Sequence, residues 1–356
     1  MAGLTCAQVL HQAGYRVVVV EKSRGVGGRL ATRRLPEARA DHGTCYISPK
    51  GEQFRALMQG LVQHDVVQVW TDGIHTLAAD GSVQAPSDRS PRYVGIEGMS
   101  AIAKALTPGL DIRLGQRVIG LQPTGDRGWQ LVLESSSASA DAALNLTANA
   151  VVITTPAPQA WELVFYLAEF GNLDLDGVAS LRSVTFDPCI AVMVGYAPEC
   201  LAAWQQRYPD VRAIAADHPS LGWIGWDSSK RRHAPTPVFV LQSNATFAQA
   251  HLEDADLHPA GRSLVDAAAT ALLPQLATPL WMQVHRWRYA LANKPLPQPY
   301  LVLSTATPLV CAGDWCGGAR VEQAFHSGLA VADYLNQQLQ QRAIAPFPMW
   351  QTLIVP

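Results

Sequence analysis

Val17-Val18-Val19-Val20-Glu21-Lys22-Ser23-Arg24-Gly25-Val26-Gly27-Gly28-Arg29 is the stretch on which the fold turns. A nearly unbroken β-branched run of this kind forms a buried parallel strand rather than a half-solvated one. It ends in an acidic residue, which can accept hydrogen bonds from ribose hydroxyls. The glycine turn that follows lets backbone pass close to a phosphate, and Arg29 offers a planar guanidinium to pair with it. A Gly-rich surface loop is the plain alternative for the turn alone; its position directly after Glu21 is what makes the combination specific.

Working outward, Gly3 to Ala13 carries apolar residues at Leu4, Ala7, Val9 and Leu10, the spacing of a short helix packed on a sheet, with Gly14 closing it. Gly3 and Glu21 lie 18 residues apart. That is close to the roughly 20 that separate a dinucleotide fingerprint from its ribose acid. Gly3 is then the last fingerprint glycine, the helix start faces pyrophosphate, and the first strand with its two glycines is expected before Met1. An ordinary helix–strand pair with an exposed glutamate is the competing reading.

At the other end, Leu309-Val310-Cys311-Ala312 reads as a short buried strand, Gly313-Asp314 as a turn, and Glu322 to Gln340 as a long helix. Asp314 suits a hydroxyl or a water near phosphate, and the amides at the helix start suit an anion. A strand–turn–helix crossover without a ligand has the same pattern. Between the ends, Gly98 to Leu106 reads as a helix; Asp111 to Leu121, Gly128 to Leu133 and Ala150 to Thr154 read as strands. Cys189 to Tyr196, Leu221 to Trp226, Pro237 to Gln242 and Met282 to Trp287 suit a second, more antiparallel sheet. Ser135 to Ala143 is Ser- and Ala-rich and reads as a surface loop. Asp41-His42-Gly43-Thr44-Cys45-Tyr46 is weak as a bare pattern, since an Asp–His pair is usually a structural hydrogen bond.

The expected fold class is α/β: a Rossmann-like dinucleotide-binding domain (FAD-binding, on the resemblance given below) whose first strand is missing, with an inserted mixed or antiparallel-sheet substrate domain. The expected division assigns 1–50, 95–160 and 300–340 to the cofactor domain, and 51–94 with 161–299 to the substrate domain. Composition agrees with a compact globule: 356 residues, 48% hydrophobic and 16% charged. A net charge of -2 and a pI near 6.5 give no electrostatic case for nucleic acid or an anionic membrane. Arg33-Arg34 has no apolar run behind it and reads as part of the fold; no span or signal segment is expected, and a cytoplasmic location is. Cys6, Cys45, Cys189, Cys200, Cys311 and Cys316 are widely spaced without a CxxC pair, so no metal site or disulfide framework is expected.

MAGLTCAQ (1–8), VVVVEKSRGVGGR (17–29), DHGTCYI (41–47) and AGDWCGGARVEQAFHSG (312–328) together resemble the FAD-dependent amine-oxidase superfamily. GMSAIAKAL (98–106) and HRWRYALA (285–292) are similar to its renalase-like subgroup. The resemblance runs from residue 1 to about 335 and implies a two-domain flavoprotein with bound FAD. Carried over by position, Gly3 is the third fingerprint glycine, Glu21 with Lys22 the ribose end, and Gly28 and Arg29 the phosphate or flavin contact. Thr44 and Cys45 would line the isoalloxazine and Val118 the adenine side. Gly313, Asp314, Glu322, Gln323 and Ala324 would close over the ribityl end. The subgroup implies oxidation of a dihydronicotinamide-like donor, hydride passing to FAD and on to oxygen. A small-molecule substrate, possibly itself a nicotinamide dinucleotide, is the expected partner.

Flavin chemistry needs little acid–base help from protein, which suits the absence of a recognisable triad or carboxylate pair. Trp223, Trp226, Trp287 and Tyr289 are candidates for the substrate wall, although tryptophans in an inserted sheet are more often core. Arg286 or Arg288 could pair with a substrate phosphate or with a surface carboxylate. Three alternatives stay open: an FAD-dependent amine oxidase or polyene desaturase, an NAD-only dehydrogenase, and a cofactor-free truncated binding protein.

Overall fold

The computed structural model describes residues 1–35, 38–125, 128–135, 144–169, 173, 175–234, 236–303 and 305–344. Apart from Ser135, the expected Ser135–Ala143 loop lies outside the described residues.

The first helix spans Ala2–Gln12 and ends where the sequence says it must. Gly14 takes φ +84°, Gly14 N–H donates to His11 O and Tyr15 N–H to Leu10 O, a Schellman ending that needs a residue tolerant of left-handed φ. The strand Val18–Glu21 pairs in parallel with Asp111–Leu114. It is half-buried at all four positions rather than enclosed, because it has one strand neighbour and its side chains border a large cavity. Across that cavity Val151–Ile153 runs parallel to Leu309–Cys311, which pairs in turn with Leu301–Leu303. The expected strand over Asp111–Leu121 is two strands. Gly115, at φ +67°, turns the chain, and Gln116–Thr124 joins Gly128–Ser135 and Leu144–Ala148 in an antiparallel sheet.

The C-terminal helix Val321–Gln338 crosses the first helix where both lack bulk. A Cβ on Gly328 would lie 2.5 Å from Ala2 O and 2.7 Å from Thr5 Cβ. Cys6, Val9, Leu10, Val310, Ala312, Val331, Ala332 and Leu335 make the apolar seam between these helices and the strand 309–311.

The second body of structure is a seven-stranded sheet. Its strands run, in spatial order, 281–294, 185–195, 238–243, 221–226, 213–216, 75–77 and 83–84, antiparallel except where 213–216 meets 75–77. Trp204, Tyr196 and Phe239 are fully enclosed beneath it, with Leu264, Val265 and Leu276. The helix Glu52–Gln63 packs with Met99, Ile102 and Phe325. A short hairpin, Thr32–Arg34 with Arg39–Asp41, lies between the two bodies. All six cysteines are free thiols. Among the described residues no helix is long and apolar enough to cross a membrane, and no cluster of three or more His, Cys, Asp or Glu is arranged to hold a metal.

Candidate active site

One cavity of about 3290 Å³ runs from the first helix, past the strand Val18–Glu21, to the long strand 281–294. Gly3, Glu21, Lys22, Gly28, Arg29, Thr44, Val118, Gly313, Asp314, Glu322, Gln323, Ala324, Trp287 and Tyr289 all border it, although they come from well-separated parts of the chain.

Local chemistry explains how they converge. A Cβ on Gly3 would meet Thr154 Oγ1 at 2.8 Å, so a glycine lets the first helix start against the end of the strand 151–153. Gly27 and Gly28 take φ +118° and +57°, and Leu30 N–H closes the turn on Gly27 O at 3.1 Å. That turn aims Arg29 inward, where Nη2 bonds Asp314 Oδ1 at 2.6 Å and Nη1 bonds Ala290 O at 3.0 Å. Thr44 N–H donates to Arg29 O at 2.9 Å, and a Cβ on the preceding Gly43 would sit only 2.1 Å from that same oxygen. Gly313 N–H is held by Ser327 Oγ at 3.0 Å, which fixes the Gly-Asp turn to the C-terminal helix.

The wall opposite is aromatic. Trp287 Nε1–H donates to His42 O at 2.8 Å, and its ring stacks on His42 with centroids 5.3 Å apart and planes at 18°. His285 completes the group, edge-on to both, at 4.6 Å from His42 and 4.4 Å from Trp287. Burial, then His285 and Arg33, push the His42 pKa down to about 3. Burial and Arg33 lower that of His285 as well. Both rings are therefore neutral at physiological pH. Tyr289 meets Phe186 edge-on at 5.7 Å, next to Arg29, whose guanidinium lies 5.8 Å from the Phe186 ring.

Behind the wall Asp41 anchors a buried charge network. Its carboxylate accepts from Thr32 Oγ1 at 2.7 Å, Met99 N at 2.9 Å, Arg231 Nη2 at 2.7 Å and Lys230 Nζ at 3.2 Å. Asp227 bonds both Lys230 Nζ and the Asp41 backbone N–H. Burial opposes the charge on Asp41, but Lys230 and Arg231 prevail and lower its pKa; Asp227, buried beside Asp41, is raised.

Several expected site residues lie off the cavity or have their polar groups engaged by the protein. Cys45 does not border the cavity; it packs with Ala213 and Trp223 on the far side of its own backbone, and burial pushes its thiol up to about 12. Trp223 lies against Tyr46, rings 5.5 Å apart, and Trp226 bonds Ser228 Oγ at 2.8 Å; both are core. The Glu322 carboxylate caps the backbone N–H groups of Lys50 and Gly51. Arg286 bonds Asp254 O and Arg288 pairs with Glu253, so neither guanidinium is free. Sequence reasoning passed over Arg33 and His285 as site residues, and over the whole Asp41–Asp227–Lys230–Arg231 network.

The cavity fits an FAD on structural grounds. The first and C-terminal helices both start at its wall, presenting unpaired N-terminal amides to a pyrophosphate. Glu21 accepts from Ser23 N–H through Oε1 alone, at 2.8 Å, leaving its second oxygen for a ribose hydroxyl. Gln323 Oε1 is buried without a protein partner at the start of the C-terminal helix, the kind of acceptor a bound ligand satisfies.

Comparison with known proteins follows this geometry. A family model described as flavin containing amine oxidoreductase matches residues 1–95 and 75–336. A putrescine oxidase structure, solved with putrescine bound, superposes with a TM-score of 0.68 at 13% identity, covering 94% of this chain and 97% of that one. Cyclohexylamine oxidase from Brevibacterium oxydans IH-35A gives 0.66 at 13% identity, over 95% of this chain and 97% of that one.

Proposed function

Because the chain belongs to the flavin containing amine oxidoreductase family, and is thus an FAD-dependent oxidoreductase, we propose that its electron donor is a dihydronicotinamide and its acceptor oxygen. The observation that carries this reading is the wall of His42, His285 and Trp287. It presents flat, uncharged rings, and the charged groups acting on its histidines are Arg33 and Asp41. Asp41 is spent on Lys230 and Arg231, so among the described residues no free carboxylate acts on the two histidines to receive an ammonium ion. A flat uncharged ring stacks on such a wall, while the positive charge of Arg33 beside it opposes an ammonium ion.

FAD when bound supplies hydride acceptance and transfer of electrons to oxygen. The chain's own residues orient and enclose. Arg29, Gly28 and the two helix starts take the anionic and backbone-approach positions, with Glu21 and Lys22 at the ribose end and Gly313, Asp314, Gln323 and Ala324 along the opposite side. Trp287, pinned through its indole N–H to His42 O, holds the donor ring in place, and Thr44 and Tyr289 flank it. Residues 1–50, 95–160 and 300–340 would form the FAD domain, and 51–94 with 161–299 the substrate domain.

Oxygen consumption by the FAD-loaded protein decides between donors. Turnover with reduced nicotinamides and none with primary amines such as putrescine or cyclohexylamine supports the reading; the opposite pattern makes this chain an amine oxidase.

A further inference from the structure

Besides Arg29, the cavity is bordered by Arg33, which no described residue neutralises. In the hairpin Thr32–Arg34/Arg39–Asp41, Arg33 lies opposite Ala40, while His42 N–H bonds Ala31 O and so continues the ladder. Residues facing each other across antiparallel strands project to one side. Arg33 and His42 are thus diagonal neighbours on one face, roughly 7–8 Å apart and within reach for a long side chain. Thr32 and Asp41 project to the other face, where the Asp41 carboxylate is engaged by Lys230 and Arg231.

Arg33 has no ion-pair partner among the described residues, and its Nε is buried without an acceptor. His42 is 6% exposed, and its Nδ1 is likewise buried and unpartnered. Arg33, His42 and His285 border the same cavity. The charge of Arg33 bears on both rings, whereas that of Arg29 bears on neither, so the two cationic points are distinct. No hydrogen-bond acceptor among the described residues takes the guanidinium of Arg33, and its planar fork matches a carboxylate or phosphate. Each neutral imidazole adds one N–H donor.

We propose that Arg33, with His42 and His285, forms an oxoanion subsite that receives a phosphate or carboxylate carried by the substrate. That the rest of the substrate is a dihydronicotinamide rests on the functional reading above; the subsite itself does not.

Two measurements on the FAD-loaded protein keep these apart. In the first, the imidazole proton resonances of His42 and His285 are followed by NMR during titration with inorganic phosphate and with acetate. Saturable shifts are expected in the wild type and in Arg33→Lys and not in Arg33→Gln. Their absence from the wild type overturns the subsite, whatever the enzyme oxidises.

The second compares kcat/KM for reduced nicotinamide mononucleotide and reduced nicotinamide riboside, which differ by one phosphate. A preference for the mononucleotide of about tenfold or more is expected, lost in Arg33→Gln and partly kept in Arg33→Lys. A preference confined to the riboside of dihydronicotinic acid over that of dihydronicotinamide would assign the anion to a ring carboxylate. If these donors are oxidised with no preference for either anion, the subsite is refuted. If none is oxidised, the dihydronicotinamide reading alone falls and the phosphate titration decides the subsite.

Discussion

Arg29 and Asp314 are 285 residues apart in the chain and 2.6 Å apart in space, and their bond closes the cavity between the glycine turn and the Gly313-Asp314 turn. Both side chains are mostly shielded from water, so the bond resists screening better than a surface pair does. Arg29→Ala is expected to weaken FAD binding by about 10–100-fold, the span of a lost charge-assisted bond, with Arg29→Lys intermediate. Flavin retained per protein after gel filtration reads this out; full retention in Arg29→Ala would remove Arg29 from the cofactor site.

Gly43 marks where two backbones nearly touch. A Cβ there would lie 2.1 Å from Arg29 O, and the obstacle is main chain rather than a movable side chain. Gly43→Ala should destabilise the protein by about 1–3 kcal/mol and lower flavin occupancy with it, because the Arg29 loop must move. Urea titration checks this against Gly60→Ala in the helix Glu52–Gln63, a position with open space around its Cα that should be neutral or mildly stabilising.

The buried network predicts non-additive stability. Lys230 is 2% exposed and Asp41 fully enclosed, so Asp41→Asn or Lys230→Met each leaves charge buried and uncompensated. Each should cost about 3–5 kcal/mol, and the double variant clearly less than the sum. Strict additivity in denaturant titrations would mean that the two do not interact.

His42 predicts a pH dependence of definite sign. Its folded pKa is depressed to about 3 from an ordinary 6.5, so between those values the unfolded chain binds the extra proton. The stability contributed by its neutral form is complete above pH 6.5. It falls by up to about 1.4 kcal/mol per pH unit on acidification, and levels off below the folded pKa. His285 shifts in the same direction and adds to the slope. Unfolding free energies measured from pH 7 to pH 4 should fall less steeply in His42→Gln than in the wild type; parallel curves would contradict the assignment.

The legible parts of this molecule are those whose chemistry is local. Val17 to Arg29 could be read because a β-branched run, a terminal acid and a glycine turn are adjacent in the chain, and the Leu10–Tyr15 helix ending because Gly14 alone suits its left-handed φ. The failures trace to strand alternation and to distance. Thr44 and Cys45 came as a pair from one motif, but successive residues in extended chain face opposite ways, and only Thr44 borders the cavity. On the strand 281–294, Arg286 and Arg288 border the cavity beside His285, Trp287 and Tyr289, but their guanidinium groups turn to Asp254 O and Glu253. The Asp41 network was hidden because its partners stand 186 to 190 residues away, in a polar stretch that reads as solvated surface. Arg33, beside Arg34, read only as part of the fold until the hairpin register showed which side it faces.

Anaerobic mixing of the FAD-loaded protein with a reduced nicotinamide, watched by the flavin's visible absorbance, tests the central claim most directly. The account predicts rapid bleaching of the oxidised band with formation of one equivalent of oxidised or aromatised nicotinamide product, and recovery of the band with hydrogen peroxide release on admitting oxygen. An unchanged flavin spectrum with reduced nicotinamides, together with bleaching by an amine, would contradict it.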